Sequence, residues 1–128
     1  AIPNGIGGVE HRMDLIYQGV MQGEITLPRW VELCSTTPAR MFGMYPQKGI
    51  LAPGSDADIV LYDPNATWTI SVDNHHMNMD YSAYEGFELN GHVDTVMARG
   101  KVIIENGEYL GTKGDGKYQP RGLSSYLI

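Results

Sequence analysis

The chain has 128 residues, of which 42% are hydrophobic, and a formal net charge of −6. This acidic balance, without a basic patch, argues against nucleic acid and anionic membrane as partners, and no apolar run is long enough to cross a bilayer. No signal peptide opens the chain, and the single cysteine, Cys34, indicates a reducing compartment without disulfides, so a cytoplasmic location is expected.

The first eight residues are rich in glycine and include a proline, with no apolar run before them. Such a composition connects structural elements more often than it starts a domain. We therefore expect that this chain continues a longer polypeptide and that much of the machinery for its function lies upstream.

Residues 9–48 are predicted to be helical. A first helix ends at Gly23, a second is capped by Thr26, and a short third one begins at Thr37 and Pro38 and ends at Gly43. The apolar stripe of the first helix follows helical spacing and consists of Val9, Met13, Ile16, Tyr17 and Val20. Helices this short cannot bury their apolar faces against one another, so we expect them to lie on a larger body.

From residue 49 the pattern changes to that of a small, mainly antiparallel sheet. Residues 59–62 form a continuous apolar run, which predicts a strand buried on both faces, and residues 67–70 predict a second strand. Arg99-Gly100 and Asn106-Gly107 are two-residue hairpin turns. Five or six strands are expected between residues 49 and 110, with residues 72–92 mostly in a loop.

Residues 111–128 contain turn-forming types without periodicity and are predicted to form a tail. The tail is either disordered or held by a neighbouring subunit. The side chains available for such a contact are Tyr118, Leu123, Tyr126 and Leu127.

His75 and His76 form the most attractive metal-binding pair in the sequence. Adjacent residues on extended chain point to opposite faces, so the two imidazoles rarely bind one ion together, and a structural or interface role is favoured. His11 and His92 are isolated in the sequence, and the same interpretation applies to them.

Other candidate sites also favour structural readings. Asp56, Asp58 and Asp63 lack the glycine and closing glutamate of a calcium loop and fit a turn before a strand. Residues 111–116 lack the strand and helix that flank a phosphate-binding loop. Cys34 lies in an apolar helical setting and is predicted to be a buried thiol rather than a nucleophile. The residues alone therefore predict no catalytic group and no metal ligand in this chain.

Several motifs occur in one register along the chain. The Pro-Gly-Ser-Asp-Ala-Asp entry to the 59–62 strand is widespread among amidohydrolases, whereas two other motifs are narrower: Pro3-Asn4-Gly5 and the His-His-Met-Asn stretch followed by Tyr-Glu-Gly at 84–86. Further matching stretches are residues 8–13, 35–43, 48–50 and 99–102. Over essentially its whole length, the chain resembles the C-terminal part of the cyclic amidohydrolases, in particular the hydantoinase and dihydropyrimidinase branch.

This resemblance implies an α+β fragment. Residues 1–48 would be a loop and the closing helices of an incomplete (β/α)₈ barrel, residues 49–110 the C-terminal strands of a small composite β-sandwich, and residues 111–128 a tail in a subunit contact. The complete enzyme would be a homo-oligomer, a dimer or tetramer, that hydrolyses the ring amide of hydantoins or dihydropyrimidines.

The resemblance also implies where the site residues lie. Two divalent metal ions, usually zinc in such enzymes, would be held by residues upstream of this chain, and this chain itself would hold no cofactor. Asn4 alone corresponds to a functional position, an asparagine whose main chain orients the cyclic imide of the substrate; from the residues alone, Asn4-Gly5 is a plain turn. The alternative function is a non-catalytic dihydropyrimidinase-like scaffold or oligomerisation module.

Overall fold

The computed structural model describes residues 5–126, which form an α+β unit with helices first and an antiparallel sheet after them. The sheet has the order β1-β2-β3-β4, and every neighbouring pair is antiparallel. The elements are α1 (Arg12–Met21), α2 (Leu27–Val31), a π-helical turn (Glu32–Thr36), α3 (Thr37–Met41), β1 (Ile59–Thr69), β2 (Glu88–Ala98), β3 (Lys101–Glu105) and β4 (Glu108–Tyr109).

The first two predicted helices are confirmed, with one change at the start. Helix α1 begins at Arg12, so Val9 lies before the helix and its side chain is 80% exposed. Thr26 caps α2 as predicted, because its hydroxyl oxygen accepts a hydrogen bond from the backbone N–H of Arg29 at 3.3 Å.

The third predicted helix is confirmed as α3, but it continues directly from the preceding turn, and Thr37 is its first residue rather than its cap. The chain passes from α2 to α3 through the π-helical turn, and Thr36 makes no side-chain cap. Pro38 lacks the N–H that would bond to the carbonyl of Cys34 four residues earlier, and a wider turn accommodates this missing hydrogen bond. One side chain compensates, since the Arg12 guanidinium approaches the Cys34 carbonyl oxygen at 3.5 Å.

The two hairpin turns are confirmed. Arg99 and Gly100 have φ values of 50° and 79° and join β2 to β3, while Asn106 and Gly107, at 51° and 76°, join β3 to β4. Positive φ at both central residues is the geometry that matches the twist of paired strands.

The strand count needs correction, because residues 5–126 form four strands rather than five or six. The two runs at 59–62 and 67–70 belong mostly to the single strand β1, which continues past Pro64 with an irregularity between Asp63 and Thr67. β2 begins at Glu88, so the loop predicted for 72–92 is shorter than expected.

The prediction that residues 59–62 are buried on both faces is also wrong for this chain. Val60 is 38% exposed and Leu61 is 49% exposed. β1 stands at the edge of the sheet, and among residues 5–126 only β2 pairs with it. Its apolar outer side chains are therefore available to a further packing partner.

The core lies between α1, α2 and the sheet. Tyr17, Trp30 and Cys34 are buried together, and Tyr62 of β1 packs against them. The rings of Tyr17, Trp30 and Tyr62 contact one another with centroid separations of 4.7–5.1 Å. The side chain of Gln18 ties α1 to β2, donating to the carbonyl of Asn90 at 2.9 Å and accepting from its N–H at 3.2 Å.

Residues 111–126 contain no helix or strand, in agreement with the predicted tail. Part of this segment is held by the same chain, since Gly122 N–H donates to the carbonyl of Gly43 at 2.8 Å and Ser125 N–H to that of Arg40 at 3.1 Å. Tyr118, Leu123 and Tyr126 are more than half exposed. Leu127 lies outside the described residues, and the subunit contact stays a prediction, as do the barrel and sandwich assignments.

Candidate functional site

The predicted substrate residue, Asn4, lies outside the residues that the structure describes. Its chain neighbour Gly5 begins the loop of residues 5–10, which leads into α1. This loop lies against residues 71–87, called here the platform loop. The main-chain hydrogen bonds of Ile70 to Gly86 and Phe87 close the base of the platform loop, and Ile70 is completely buried.

His76 of the platform loop makes three contacts that define what we call the clasp. Its ring Nδ1 lies 2.7 Å from Glu10 Oε1, its backbone N–H donates to Glu10 Oε2 at 2.8 Å, and its Nε2 lies 3.0 Å from the carbonyl oxygen of Gly107. The clasp thus joins the loop of residues 5–10, the platform loop and the β3–β4 turn.

The protonation state of the clasp follows from its partners. Both ring nitrogens of His76 face oxygen acceptors, and only a doubly protonated imidazolium can donate to both at once. The hydrogen bond to Glu10 raises the pKa of His76 above its ordinary value of 6.5. Partial burial raises the pKa of Glu10, but the hydrogen bonds from His76 outweigh it and leave the net shift downward.

The neighbouring residue His11 faces the opposite side and is buried, with 1% of its surface exposed. Around it lies the inner cluster. The ring centroid of His11 is 5.7 Å from that of Trp68 and 6.1 Å from that of His75. His92 stacks on Trp68 at 4.2 Å, and its Nδ1 lies 2.8 Å from Oδ2 of Asp14. The inner cluster is therefore His11, Asp14, Trp68, His75 and His92.

The inner cluster contains polar atoms without partners. Both ring nitrogens of His11 and of His75 are buried and make no hydrogen bond to any of residues 5–126, and the same holds for Trp68 Nε1 and for Oδ1 of Asp14. Burial lowers the pKa of His11, against the opposing charges of Glu10 and Asp14. Such an environment disfavours a charged His11.

The histidines were assigned correctly in part. His75 and His76 do point to different sides, the one into the inner cluster and the other into the clasp. His11 and His92, which are isolated in the sequence, are brought together by folding, because both rings contact Trp68. Sequence separation concealed these contacts, since Glu10 and His76 are 66 residues apart and Asp14 and His92 are 78 apart.

The metal-binding side chains of the described residues are dispersed. Within residues 5–126, no group of three or more His, Cys, Asp or Glu side chains is arranged to hold a metal ion. The rings of His11 and His75 meet edge-on with their centroids 6.1 Å apart, and the carboxylate of Asp14 pairs with His92. The residues present therefore do not fit the two-metal centre that the resemblance implies for the complete enzyme.

The aspartates at the entry of β1 have structural contacts, as predicted. Lys48 forms ion pairs with Asp56, at 2.7 Å, and with Asp58, and the carboxylate of Asp58 also accepts the N–H of Arg99 at 2.8 Å. Asp63 accepts the N–H of Asn65 at 2.9 Å. The contacts of Asp58 with Lys48 and Arg99 join the end of the helical region to the β2–β3 turn.

The remaining candidates follow the structural reading as well. Cys34 is buried, and burial raises the pKa of its thiol, which disfavours a reactive thiolate. The glycine-rich segment 111–116 is held through Asp115, whose carboxylate pairs with Lys101 and whose pKa this contact lowers.

An open groove of about 810 Å³ lies between the helical segment and the first two strands. Its lining is mainly apolar and includes Trp30, Val31, Leu51, Val60 and Met97.

No helix of residues 5–126 combines the length and hydropathy needed to traverse a bilayer.

Comparison with known proteins identifies the family. A sequence profile of the amidohydrolase family matches residues 4–103. The chain belongs to this family. D-hydantoinase of Streptomyces coelicolor is 56% identical over 126 residues, which are 98% of this chain and 27% of the relative. Dihydropyrimidinase 1 of Caenorhabditis briggsae is 45% identical over 128 residues, 99% of this chain and 26% of the relative.

The fold of this chain also matches those of solved structures. A D-hydantoinase structure superposes with a TM-score of 0.93 and 52% identity, over 98% of this chain and 27% of the other. D-hydantoinase from Thermus sp. gives a TM-score of 0.92 and 46% identity, over 98% of this chain and 28% of the other. The chain thus spans about a quarter of the length of the relatives it matches.

Proposed function

We propose that this chain is the C-terminal part of a cyclic amidohydrolase that opens the ring amide of hydantoins or dihydropyrimidines by hydrolysis. The observation that carries this proposal is the high identity to D-hydantoinases, kept over nearly the whole chain and accompanied by the same fold. In this proposal residues 1–48 complete a barrel, residues 49–110 complete a β-sandwich, and residues 111–128 contact another subunit of a homo-oligomer, a dimer or tetramer.

The upstream part of the same polypeptide is the proposed occupant of the groove. The matched relatives are about four times as long as this chain, and the groove and the free edge of β1 expose apolar side chains such as Val60 and Leu61. Covering these side chains removes apolar surface from water, which favours association. The buried free thiol of Cys34 supports a cytoplasmic location for the whole protein.

The chemistry of the proposed enzyme is divided between two parts of the polypeptide. In the proposal, residues upstream of residue 1 would hold two divalent metal ions, zinc by resemblance, and these ions would supply the hydrolytic water of the complete enzyme. This chain contributes Asn4, whose main chain is proposed to orient the cyclic imide, and the loop of residues 5–10 that continues from it. A reactive amide held by backbone hydrogen bonds is presented in one orientation only.

The test is turnover by the complete polypeptide. We expect ring opening of hydantoin or dihydrouracil, which is monitored by the loss of ultraviolet absorbance. We also expect the activity to be lost after treatment with a chelator. Return of activity on addition of zinc would complete the assignment. A correctly folded complete polypeptide that opens neither ring with zinc present would contradict the proposal and favour the non-catalytic scaffold.

A further inference from the structure

The loop of residues 5–10 is packed tightly on the platform loop. A Cβ atom added at Gly8 would lie 2.9 Å from Cε2 of Tyr84, and one added at Gly7 would collide with the thioether of Met79. Neither glycine has a positive φ, so any resistance to a larger residue comes from close approach: the Tyr84 ring at Gly8, and at Gly7 the flexible end of Met79, which can shift at lower cost.

A polar contact fixes the same loop at its other end. Glu10 uses both carboxylate oxygens on His76, one on the ring and one on the backbone N–H, and is the charged group that faces this imidazole. The third contact, from Nε2 to the carbonyl of Gly107, anchors the imidazole to the β3–β4 turn. The loop is therefore held at Gly7, Gly8 and Glu10 within a few residues of Asn4.

We propose that His76 is a positioning residue: through Glu10 it holds the loop of residues 5–10, which continues from the proposed substrate-binding segment, in the conformation that binds the cyclic substrate. The inference rests on the proposed function and adds to it a residue that does not touch the substrate. The contact is complete only when both ring nitrogens carry a proton, because both face acceptors.

A pH dependence of substrate binding follows from this geometry. The raised pKa of His76 means that the imidazolium persists above its ordinary value of 6.5 and is lost as the pH rises through the folded value. A neutral ring keeps only one of its two donors, so either Glu10 or the Gly107 carbonyl loses its hydrogen bond. The KM of the enzyme is therefore expected to rise over that pH range, while kcat changes little.

The experiment compares variants of the complete polypeptide. His76→Ala and Glu10→Gln are each expected to raise the KM about three- to tenfold, the range for losing one partly exposed charge-assisted contact, with little change in kcat. Gly8→Ala, which displaces the same loop by contact with Tyr84, is expected to raise the KM as well. His76→Gln restores a donor to Glu10 and is expected to lower the KM partway to its original value while abolishing its pH dependence.

The matched control is Asp115→Asn. Asp115 and Lys101 form an exposed ion pair, with side chains 42% and 53% exposed, that does not contact the loop of residues 5–10. Hydrogen–deuterium exchange at residues 5–10, measured in the same proteins and corrected for intrinsic rates, gives a readout independent of activity. We expect faster exchange in His76→Ala and no change in Asp115→Asn.

The possible results separate the two proposals. Faster exchange together with a raised KM supports the positioning role. Turnover with an unchanged KM in His76→Ala, an equal KM change in Asp115→Asn, or unchanged exchange at residues 5–10 overturns it and leaves the proposed function standing. Absence of turnover in the unmodified polypeptide overturns the proposed function, and the positioning role falls with it.

Discussion

Glu10 and His11 are adjacent in the chain, but they belong to two different histidine environments. On the outer side, His76 is 40% exposed in its side chain and has an acceptor for each ring nitrogen. On the inner side, His11 is buried and neither of its nitrogens has a partner. The same type of side chain is thus stabilised as a cation in one place and as a neutral ring in the other.

The comparison shows that the surroundings, not the residue type, decide what a histidine does. The outer histidine joins two loops and can respond to pH with little cost to the fold, because water screens its charge. The inner histidine fills space beside Trp68, and proton uptake there would place a charge among buried side chains. Two predictions sharpen this contrast, and the first has the larger effect.

The largest expected effect on the free energy of unfolding is in the buried core between α1, α2 and the sheet. Trp30 is 5% exposed, packs edge-on against Tyr17 and Tyr62, and donates its indole N–H to the carbonyl of Met13 at 3.0 Å. Trp30→Ala is expected to lower the free energy of unfolding by about 3–5 kcal/mol. Urea unfolding followed by circular dichroism measures the change.

The outer side provides the comparison for that measurement. His76→Ala removes an exposed ion pair and is expected to cost less than about 1 kcal/mol. Equal losses in Trp30→Ala and His76→Ala would contradict the division into a packed inner side and an exposed outer side.

A smaller effect is expected for His11 on acidification. Its pKa is lowered in the folded state, so the unfolded chain binds the proton more readily and the free energy of unfolding falls as the pH drops below 6.5. The charged or titratable groups facing it are Glu10, Asp14, His75 and His92. His11→Phe keeps an aromatic ring in the same space, and we expect it to weaken this decline in stability between pH 7 and pH 5.

The control for the acidification experiment is His76→Gln, because the pKa of His76 is shifted in the direction opposite to that of His11. The stabilisation from His76 is fully present below pH 6.5 and is lost as the pH rises through its raised folded pKa. Its removal should therefore lower stability on the acidic side and leave the alkaline side unchanged. If urea midpoints of His11→Phe fall with pH as steeply as those of the unmodified chain, His11 is not a source of the acid sensitivity.

Local signals in the sequence predicted the local structure well. The Thr26 cap and the two Gly-containing hairpin turns were read correctly because each depends on residues within one turn of chain. The division of β1 into two strands was wrong because Asp63 and Pro64 suggest a break, whereas an edge strand tolerates both through an irregular register. The uninterrupted passage from α2 to α3 depends on a π-helical turn before Pro38, and a proline at this position is equally typical of the first turn of a new helix.

The site was less predictable than the fold. The clasp and the inner cluster each join residues more than 60 positions apart, and no periodic pattern connects Glu10 with His76 or Asp14 with His92. The motif containing His75 and His76 did indicate the family, but its contacts depend on how the platform loop folds back on the start of α1. Burial of residues 59–62 was predicted from a continuous apolar run and was wrong for this chain, because β1 stands at the edge of the sheet formed by residues 5–126.

The most direct test of the account compares the 128-residue chain with the complete polypeptide in one assay. At equal concentration, with zinc and hydantoin or dihydrouracil, the account predicts ring opening by the complete polypeptide and none by the 128-residue chain, because the described residues hold no set of metal ligands. Ring opening by the 128-residue chain alone, dependent on added zinc, would contradict the division of the active site between this chain and the sequence before it.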